Sequence, residues 1–220
     1  MKLPVVAVVG WSDAGKTRVA SGLVEAFTAR GLRVAAIKHA AHGMQPDRPG
    51  SDTDRLHRAG ARVTIGSAPG ERFVRTRPEG EATLEQLTAE LAGQVDIVVA
   101  EGFKQAQAPQ VLVLGGQGPE LPLDPVIAVV GEGQRPEGFP AYGFSQMEEL
   151  ADLLCQRLLR PDEGRPAVSM LVDGLPVNLG DYPERVLVGI LRGFLETLRA
   201  MPDRPREIRL IIVQRPPPPV

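Results

Sequence analysis

An apolar run from Pro4 to Val9 ends at Gly10-Trp11-Ser12-Asp13-Ala14-Gly15-Lys16-Thr17, eight residues that read G-x-x-x-x-G-K-[ST]. This pattern constrains the fold more than any other feature of the chain. The glycines let the backbone turn tightly, so that successive N–H groups face inward around a phosphate at the positive end of the following helix. In such a loop Lys16 reaches the outer phosphate oxygens and Thr17 ligates Mg²⁺, while Gly10, Ser12, Asp13, Ala14 and Gly15 line the cradle. The motif therefore demands a strand before it, a helix after it, and a parallel sheet around the strand. Asp13 puts a negative charge into an anion cradle, which is tolerable when its side chain turns away; Arg18, one residue past the motif, offsets it.

The rest of the chain fits that demand up to about residue 160. Lys16 to Arg30 carries Val19, Ala20, Leu23, Val24 and Phe27 at helical spacing, closed by Gly31. Arg33 to Ile37 reads as a second strand, and a short helix from about Thr53 to Ala59 leads to Val63 and Ile65. Thr83 to Leu91 is expected to be helical, and Val95 to Ala100 is a buried-type strand. Val111 to Leu114 and Val126 to Val130 complete the apolar runs, and Ser145 with Glu148 suggests a capping box for a helix to Arg160. The expected architecture is α/β: a mostly parallel sheet of P-loop NTPase type with helices on both faces and its ligand site at the carboxyl ends of the strands.

Residues 161–166 form a Pro/Gly/charge linker after a first domain spanning 1–161. A small ββαβ unit is expected over 166–215: strands around Val168–Val172 and Leu175–Leu179 about an Asp173-Gly174 turn, a helix, and a last strand with Ile208, Leu210 and Ile212 alternating. The helix is expected to carry Leu187, Ile190, Leu191, Phe194, Leu195 and Leu198 on one face. A unit of about 50 residues is small for independent stability, so it should pack on the first domain or on another subunit. Residues 216–220 are a proline-rich tail.

Composition narrows the function classes. A formal net charge of −2 argues against nucleic acid as the main partner. No apolar run is long enough to span a bilayer, and Met1-Lys2 leads straight into an apolar strand, so a membrane role and a secretory signal are not expected and the cytoplasm is the expected location. The single Cys155 excludes an intrachain disulfide framework. Of 25 basic residues only Lys2, Lys16, Lys38 and Lys104 are lysines, and the last three fall at or just past strand ends, where a compact ammonium suits a phosphate.

Two further segments join the loop. In Val95-Asp96-Ile97-Val98-Val99-Ala100-Glu101-Gly102-Phe103-Lys104 the carboxylate of Glu101 stands where the strand ends, positioned for Mg²⁺ or its water shell. Asp96 would lie about 17 Å back along the strand and is expected to be a strand-start residue instead. Lys104 projects toward the phosphates or a second substrate. After the second strand come Lys38, His39 and His42, then Asp47, Gly50, Ser51, Asp52, Thr53 and Asp54. Without cysteines or a presenting helix the histidines make a poor zinc pair. The segment reads as switch-like, touching γ-phosphate, metal-bound water or a partner. Ser51 or Asp52 would equally serve as a helix N-cap.

These segments together resemble the GTP-binding MobB proteins of molybdopterin-guanine dinucleotide biosynthesis. That family pairs G-x-S-x-S-G-K-T-T with I-K-H-x-H-H, D-x-x-G-K-D-S, A-G-A and V-E-G-F-K. Here they stand as Gly10 to Thr17, Ile37-Lys38-His39 with His42, Asp47, Gly50 and Asp52-Thr53, Ala59-Gly60-Ala61, and Ala100 to Lys104. The resemblance covers roughly residues 4 to 160. It departs at Arg18, where a second Thr is usual, and at Ala41, Ser51 and Thr53. A family-like strand ends in Val130-Gly131-Glu132 where Asp is more usual, so Glu132 is the position implied for guanine contact. The N-K-x-D signature that reads guanine in many GTPases is absent, since Asn178 is the only Asn.

The resemblance implies a GTP- and Mg²⁺-binding adaptor beside the guanylyltransferase that joins GMP to molybdopterin, with molybdopterin itself as a further ligand and only weak GTP hydrolysis. Thr17 and Glu101 would hold the metal; Lys38, His39, His42, Asp52 and Lys104 would face the second substrate or partner. A homodimer is expected from the resemblance and from the apolar helix face of the small unit. The rival reading is a small-molecule kinase using ATP, with His39, Asp52 and Lys104 activating an acceptor hydroxyl; a third is a scaffold with a vestigial nucleotide site.

Overall fold

The computed structural model describes residues 3–40, 43–78, 80–115, 124–132, 135–159, 170–172, 175–177 and 179–198. His42, the 161–166 linker, the Asp173-Gly174 turn, the alternating run around Ile208 and the 216–220 tail lie outside the described residues. The elements in chain order are β1 (Val5–Val9), α1 (Lys16–Ala29), β2 (Val34–Lys38), α2 (Asp52–Arg58), β3 (Val63–Ala68), β4 (Glu71–Thr76), α3 (Leu84–Glu90), β5 (Ile97–Glu101), β6 (Gln110–Val113), β7 (Val126–Val130), β8 (Ala141–Tyr142), α4 (Met147–Leu158), β9 (Met170–Val172), β10 (Leu175–Val177) and α5 (Asp181–Glu196).

Six strands form one sheet in the order β2-β5-β1-β6-β7-β8, every neighbouring pair parallel. β1 lies inside it, and its Val6, Ala7 and Val8 are fully buried, as a strand covered on both faces requires. Pleating sends alternate residues to opposite faces. Val6, Val8, Ile97, Val99, Val111, Val113, Ala128 and Val130 meet Val19, Leu23 and Phe27 of α1 and Leu150, Ala151 and Leu154 of α4. Ala7, Val9, Ala100, Leu112 and Val129 form the other face, covered by Leu84 of α3 and by loop residues Phe103, Ala108 and Phe139.

The two helices of the first face approach closely because Gly22 has no side chain: a Cβ there would lie 2.6 Å from Met147 Cγ. Arg30, just past α1, clamps the pair by donating to Asp152, to Glu148 and to the Ala26 carbonyl. That use of Glu148 corrects one expectation. α4 begins at the N-cap Gln146 with no side-chain capping bond, so Ser145 and Glu148 form no capping box. The reciprocal box instead starts α3, where Thr83 Oγ1 accepts from Gln86 N–H and Gln86 Oε1 accepts from Thr83 N–H.

Asp96 stands before β5 and receives the Arg33 backbone N–H at 2.7 Å and its guanidinium at 2.7 Å. It is the strand-start residue that its distance from Glu101 implies. Val63 and Ile65 belong to an antiparallel hairpin, β3 with β4, outside the main sheet. β4 is not evident from hydrophobic period because Val63, Ile65 and Val74 are half exposed on one face. The other face holds Thr64, buried beside His57 of α2.

α2 is tied to this hairpin by Asp54, whose carboxylate accepts from Gly50 N–H, Arg58 and, across on β4, Arg75. The Gly50 N–H foremost, then Arg75 and Arg58, holds the Asp54 carboxyl below the usual carboxylate range. β9 and β10 pair antiparallel, and β10 lies against α3. The α5 face is only partly buried: Leu187, Leu191 and Leu195 are half-buried, whereas Ile190, Phe194 and Leu198 are exposed together with Tyr182 and Val186. Among the described residues no helix is long and apolar enough to cross a membrane.

Two outcomes follow. Leu23→Ala, at a site with no exposed surface, should lower unfolding free energy by about 2–5 kcal/mol in a urea titration. The Asp54 carboxyl has a folded-state pKa below its unfolded value, so its contribution is complete above pH about 4–5 and is lost as pH falls through and below about 4. Hydrogen exchange of β3 and β4 amides should therefore accelerate between pH 5 and 3 beyond the intrinsic trend. In Asp54→Asn that extra acid step should vanish.

Candidate functional site

The loop after β1 has the geometry its glycines require. Gly10 passes so close to β6 that a Cβ would lie 2.8 Å from the Val113 carbonyl oxygen. Gly15, the N-cap of α1, has φ +94°, and a Cβ there would press on the Phe144 ring at 3.0 Å. Asp13 adopts φ +59°, a left-handed conformation that Asp tolerates better than most residues, and it is exposed. Arg18 does not turn to Asp13; its guanidinium stacks over Phe144 at 4.7 Å. Phe144, from the segment after β8, thus packs against both Gly15 and Arg18, a role with no motif to announce it.

The carboxylate strand is delivered by sheet register. β1 and β5 pair as Val8↔Glu101, and β2 and β5 as Lys38↔Glu101, so the three strand ends meet. Glu101 is 14% exposed at its side chain and engages both neighbours: the Thr17 hydroxyl donates to Oε2 at 2.9 Å, and the Lys38 ammonium donates to Oε1 at 2.7 Å. Lys16 donates to the Trp11 carbonyl at 2.7 Å. Ser12, Asp13, Gly15, Lys16, Thr17, Lys38 and Glu101 together line an open cleft of about 420 Å³. It opens beside a more apolar groove of about 380 Å³ between α1 and β2. Each is within the usual range for a small-molecule site.

Lys104 lies over the Trp11 indole, its Nζ 3.7 Å from the ring centroid. Partial burial, and after it the neighbouring Lys16, lower its pKa. Both ammonium groups therefore face the loop. His39 sits beside Phe103, ring centroids 5.0 Å apart, with its Nε2 2.6 Å from Glu81. Trp11 and Phe144 are the site residues that motif spacing does not single out, although a lone Trp inside a phosphate loop was a visible signal.

Other sequence-derived positions fall elsewhere. Ser51, not Asp52, caps α2, accepting from Asp54 N–H. Asp52 has a fully exposed side chain, 3.9 Å from the Arg55 guanidinium. Asp47, in the loop before α2, accepts from the hydroxyl of Thr53 in the helix's first turn. Glu132 is exposed just past β7, on the strand-end edge of the sheet but two strands from β1. The Glu101 carbonyl accepts the backbone N–H of His39 at 2.9 Å. Among the described residues no three His, Cys, Asp or Glu side chains converge as a metal cluster.

A metal in this site would thus be held by few protein atoms. The available donors are hard oxygens, one hydroxyl and one carboxylate 2.9 Å apart. That set suits Mg²⁺, which keeps several waters and takes its remaining ligands from phosphates.

A parallel α/β sheet whose inner strand ends in a glycine loop, with a carboxylate delivered beside the loop's Thr, defines a P-loop NTPase-like protein. The chain belongs to the MobB family: the family described as "MobB: Molybdopterin guanine dinucleotide synthesis protein B" matches residues 5–132. It is 32% identical over 163 residues to the molybdopterin-guanine dinucleotide biosynthesis adapter protein of Escherichia coli, covering 70% of this chain and 93% of that one. It is 35% identical over 114 residues to the probable adapter protein of Bacillus subtilis, covering 50% of this chain and 65% of that one. The crystal structure of Bacillus subtilis MobB superposes with TM-score 0.56 at 28% identity, over 70% of this chain and 98% of that chain.

Because Lys38 is paired with Glu101, a divalent cation held by that carboxylate would have to displace it. Lys38→Met should raise Mg²⁺ affinity in the nucleotide complex about fivefold, the equivalent of ~1 kcal/mol for a half-exposed ion pair. The Mg²⁺ dependence of fluorescent nucleotide binding measures this, and an unchanged or weaker affinity would contradict the competition.

Proposed function

We propose that this protein is a GTP- and Mg²⁺-binding adapter in molybdopterin-guanine dinucleotide biosynthesis, acting beside the guanylyltransferase as a homodimer in the cytoplasm. The biosynthetic role rests on family membership and on relatives named for it. The observation that carries the nucleotide reading is the Thr17–Glu101 contact at 2.9 Å beside the Gly10–Lys16 loop. It supports this reading because a hydroxyl and a carboxylate side by side would hold a metal whose remaining oxygens a loop-bound β/γ-phosphate would supply. On binding, loop N–H groups would receive the phosphate, Lys16 would leave the Trp11 carbonyl for it, and Thr17 and Glu101 would hold Mg²⁺. Bound Mg²⁺ supplies charge neutralisation between the phosphates.

Hydrolysis should be weak. Among the described residues lining the cleft the only acid besides the exposed Asp13 is Glu101, and both of its oxygens are already engaged. No Gln or His in that lining can orient an attacking water. The kinase reading needs His39, Asp52 and Lys104 together, and no contact joins Asp52 to either of the others. The choice of GTP over ATP rests on the family resemblance. The homodimer rests on exposed apolar surface, notably Tyr182, Ile190 and Phe194 of α5 and Val63, Ile65 and Val74 of the hairpin.

The deciding experiment is a titration of the full-length protein with fluorescent GTP and ATP analogues in Mg²⁺. GTP should win, Lys16→Ala should weaken it at least tenfold, and phosphate release should stay on the order of 10⁻³ s⁻¹ without a partner. Phosphate transfer from ATP to a small molecule would replace the adapter reading by the kinase. A Lys16→Ala protein that still supported guanine dinucleotide formation would favour the scaffold.

A further inference from the structure

The indole of Trp11 and the ammonium of Lys104 are not needed to make a phosphate loop. The cradle is made by backbone N–H groups and Lys16, and the position after the first glycine carries no required side chain. Yet this chain places its only tryptophan there and sets a cation over its ring at 3.7 Å.

The backbone is shaped to do so. Gly102 and Phe103, directly after β5, have φ +95° and +55°. A left-handed aromatic residue is uncommon and persists only where its surroundings hold it. Phe103 is held by packing against the sheet face that contains Ala7, Val9 and Ala100, and by its contact with His39. His39 in turn packs on Gly102, where a Cβ would lie 3.0 Å from His39 Cβ, and its ring is fixed by Glu81. The double left-handed turn then carries Lys104 over the phosphate loop.

Lys104 also has no carboxylate partner among the described residues, in contrast to Lys38. Its neighbour is another cation, Lys16. Two ammonium groups beside one indole form a site without a carboxylate on Lys104 among the described residues, with a π-face next to it. A phosphate alone would need only the cations; the indole adds a surface on which a planar ring can stack.

We infer that Trp11 and Lys104 form a second ligand subsite, beside the nucleotide's terminal phosphate, for a planar heteroaromatic molecule carrying a phosphomonoester. The ring stacks on the Trp11 indole and takes over the face that the Lys104 ammonium now covers. The displaced ammonium meets the phosphate of the same ligand. Phosphorylated pterins belong to this chemical class, and this assignment rests on the biosynthetic role proposed above. The subsite would hold the two halves of a dinucleotide product next to each other on one loop.

The test uses full-length protein with GTP and Mg²⁺ present, and neopterin monophosphate, neopterin and glycerol phosphate as probes, followed by calorimetry and by Trp11 fluorescence. Neopterin monophosphate should bind and quench the single tryptophan, with at least tenfold preference over neopterin and over glycerol phosphate. Lys104→Met should abolish the preference for the phosphorylated pterin while quenching by neopterin persists. Trp11→Ala should abolish the preference over glycerol phosphate, and Trp11→Phe, which keeps a ring, should restore part of it. The inference is overturned if glycerol phosphate binds as tightly as the pterin phosphate, or if Lys104→Met keeps the full phosphate preference. Wild-type protein that binds GTP but no pterin phosphate sinks the subsite alone; wild-type protein that binds no GTP sinks the nucleotide reading.

Discussion

The parallel register between β1 and β5 is the constraint on which the site depends. Pairing Val8 with Glu101 fixes a carboxylate one strand away from the start of the phosphate loop, and pairing Lys38 with the same Glu101 brings the β2 end to it from the other side. A slip of one residue would turn the carboxylate to the opposite face and expose half of the buried valines. The slip is prevented by the core itself: Val6, Val8, Ile97 and Val99 must all face α1 and α4. The same apolar alternation that stabilises the sheet therefore positions the Thr17–Glu101 pair, and neither function can vary without the other.

The helical layer answers to the same constraint. α1 begins in the loop and can hold its N-terminus toward a phosphate only while α4 presses it onto the sheet. That contact depends on Gly22, which leaves room for Met147, and on Arg30, whose guanidinium gathers Asp152 and Glu148. The hydrogen bond that Arg30 donates to Asp152 is the larger cause of its raised pKa, the one to Glu148 following. Phe144 closes the near end by packing on Gly15 and stacking with Arg18. Residues distant in sequence thus set the angle at which the loop meets its helix.

Much of this was legible in the sequence because loop, strand and helix signals agreed with one another. The glycine motif, the continuous apolar strands and the Glu101 strand end all predict one parallel sheet, and the structure shows it. What was not legible shares a physical cause. β4 lacks a buried stripe because its hairpin leaves Val74 and its β3 partners in solvent, so no period distinguishes it. Ser145-x-x-Glu148 and Thr83-x-x-Gln86 are equally good capping patterns locally; tertiary packing decides between them, since Arg30 claims Glu148 while no other described side chain takes Gln86 from Thr83. Arg18 looked like a counter-charge to Asp13 from adjacency alone, yet an aromatic ring from 126 residues later receives it. α5 buries only part of its apolar face, because period predicts which residues share a face and not what covers it.

The three lysines at the strand ends differ in what an incoming ligand must break to use them. Lys16 rests on a carbonyl, Lys104 on an indole and Lys38 on a carboxylate. The first two partners are neutral, so an anion would recruit Lys16 and Lys104 without separating opposite charges, and it would offset the desolvation and, after it, the Lys16 repulsion that lower the Lys104 pKa. Lys38 is different: freeing it leaves Glu101 without a cation beside a polyanion, which is unfavourable until another cation takes its place. A metal bound there would supply the charge that releases Lys38, and a released Lys38 would add to the positive field around bound phosphates. Anion and cation binding at this loop would then be coupled through one carboxylate, that of the single Glu at the end of β5, with no cluster of acids present among the described residues.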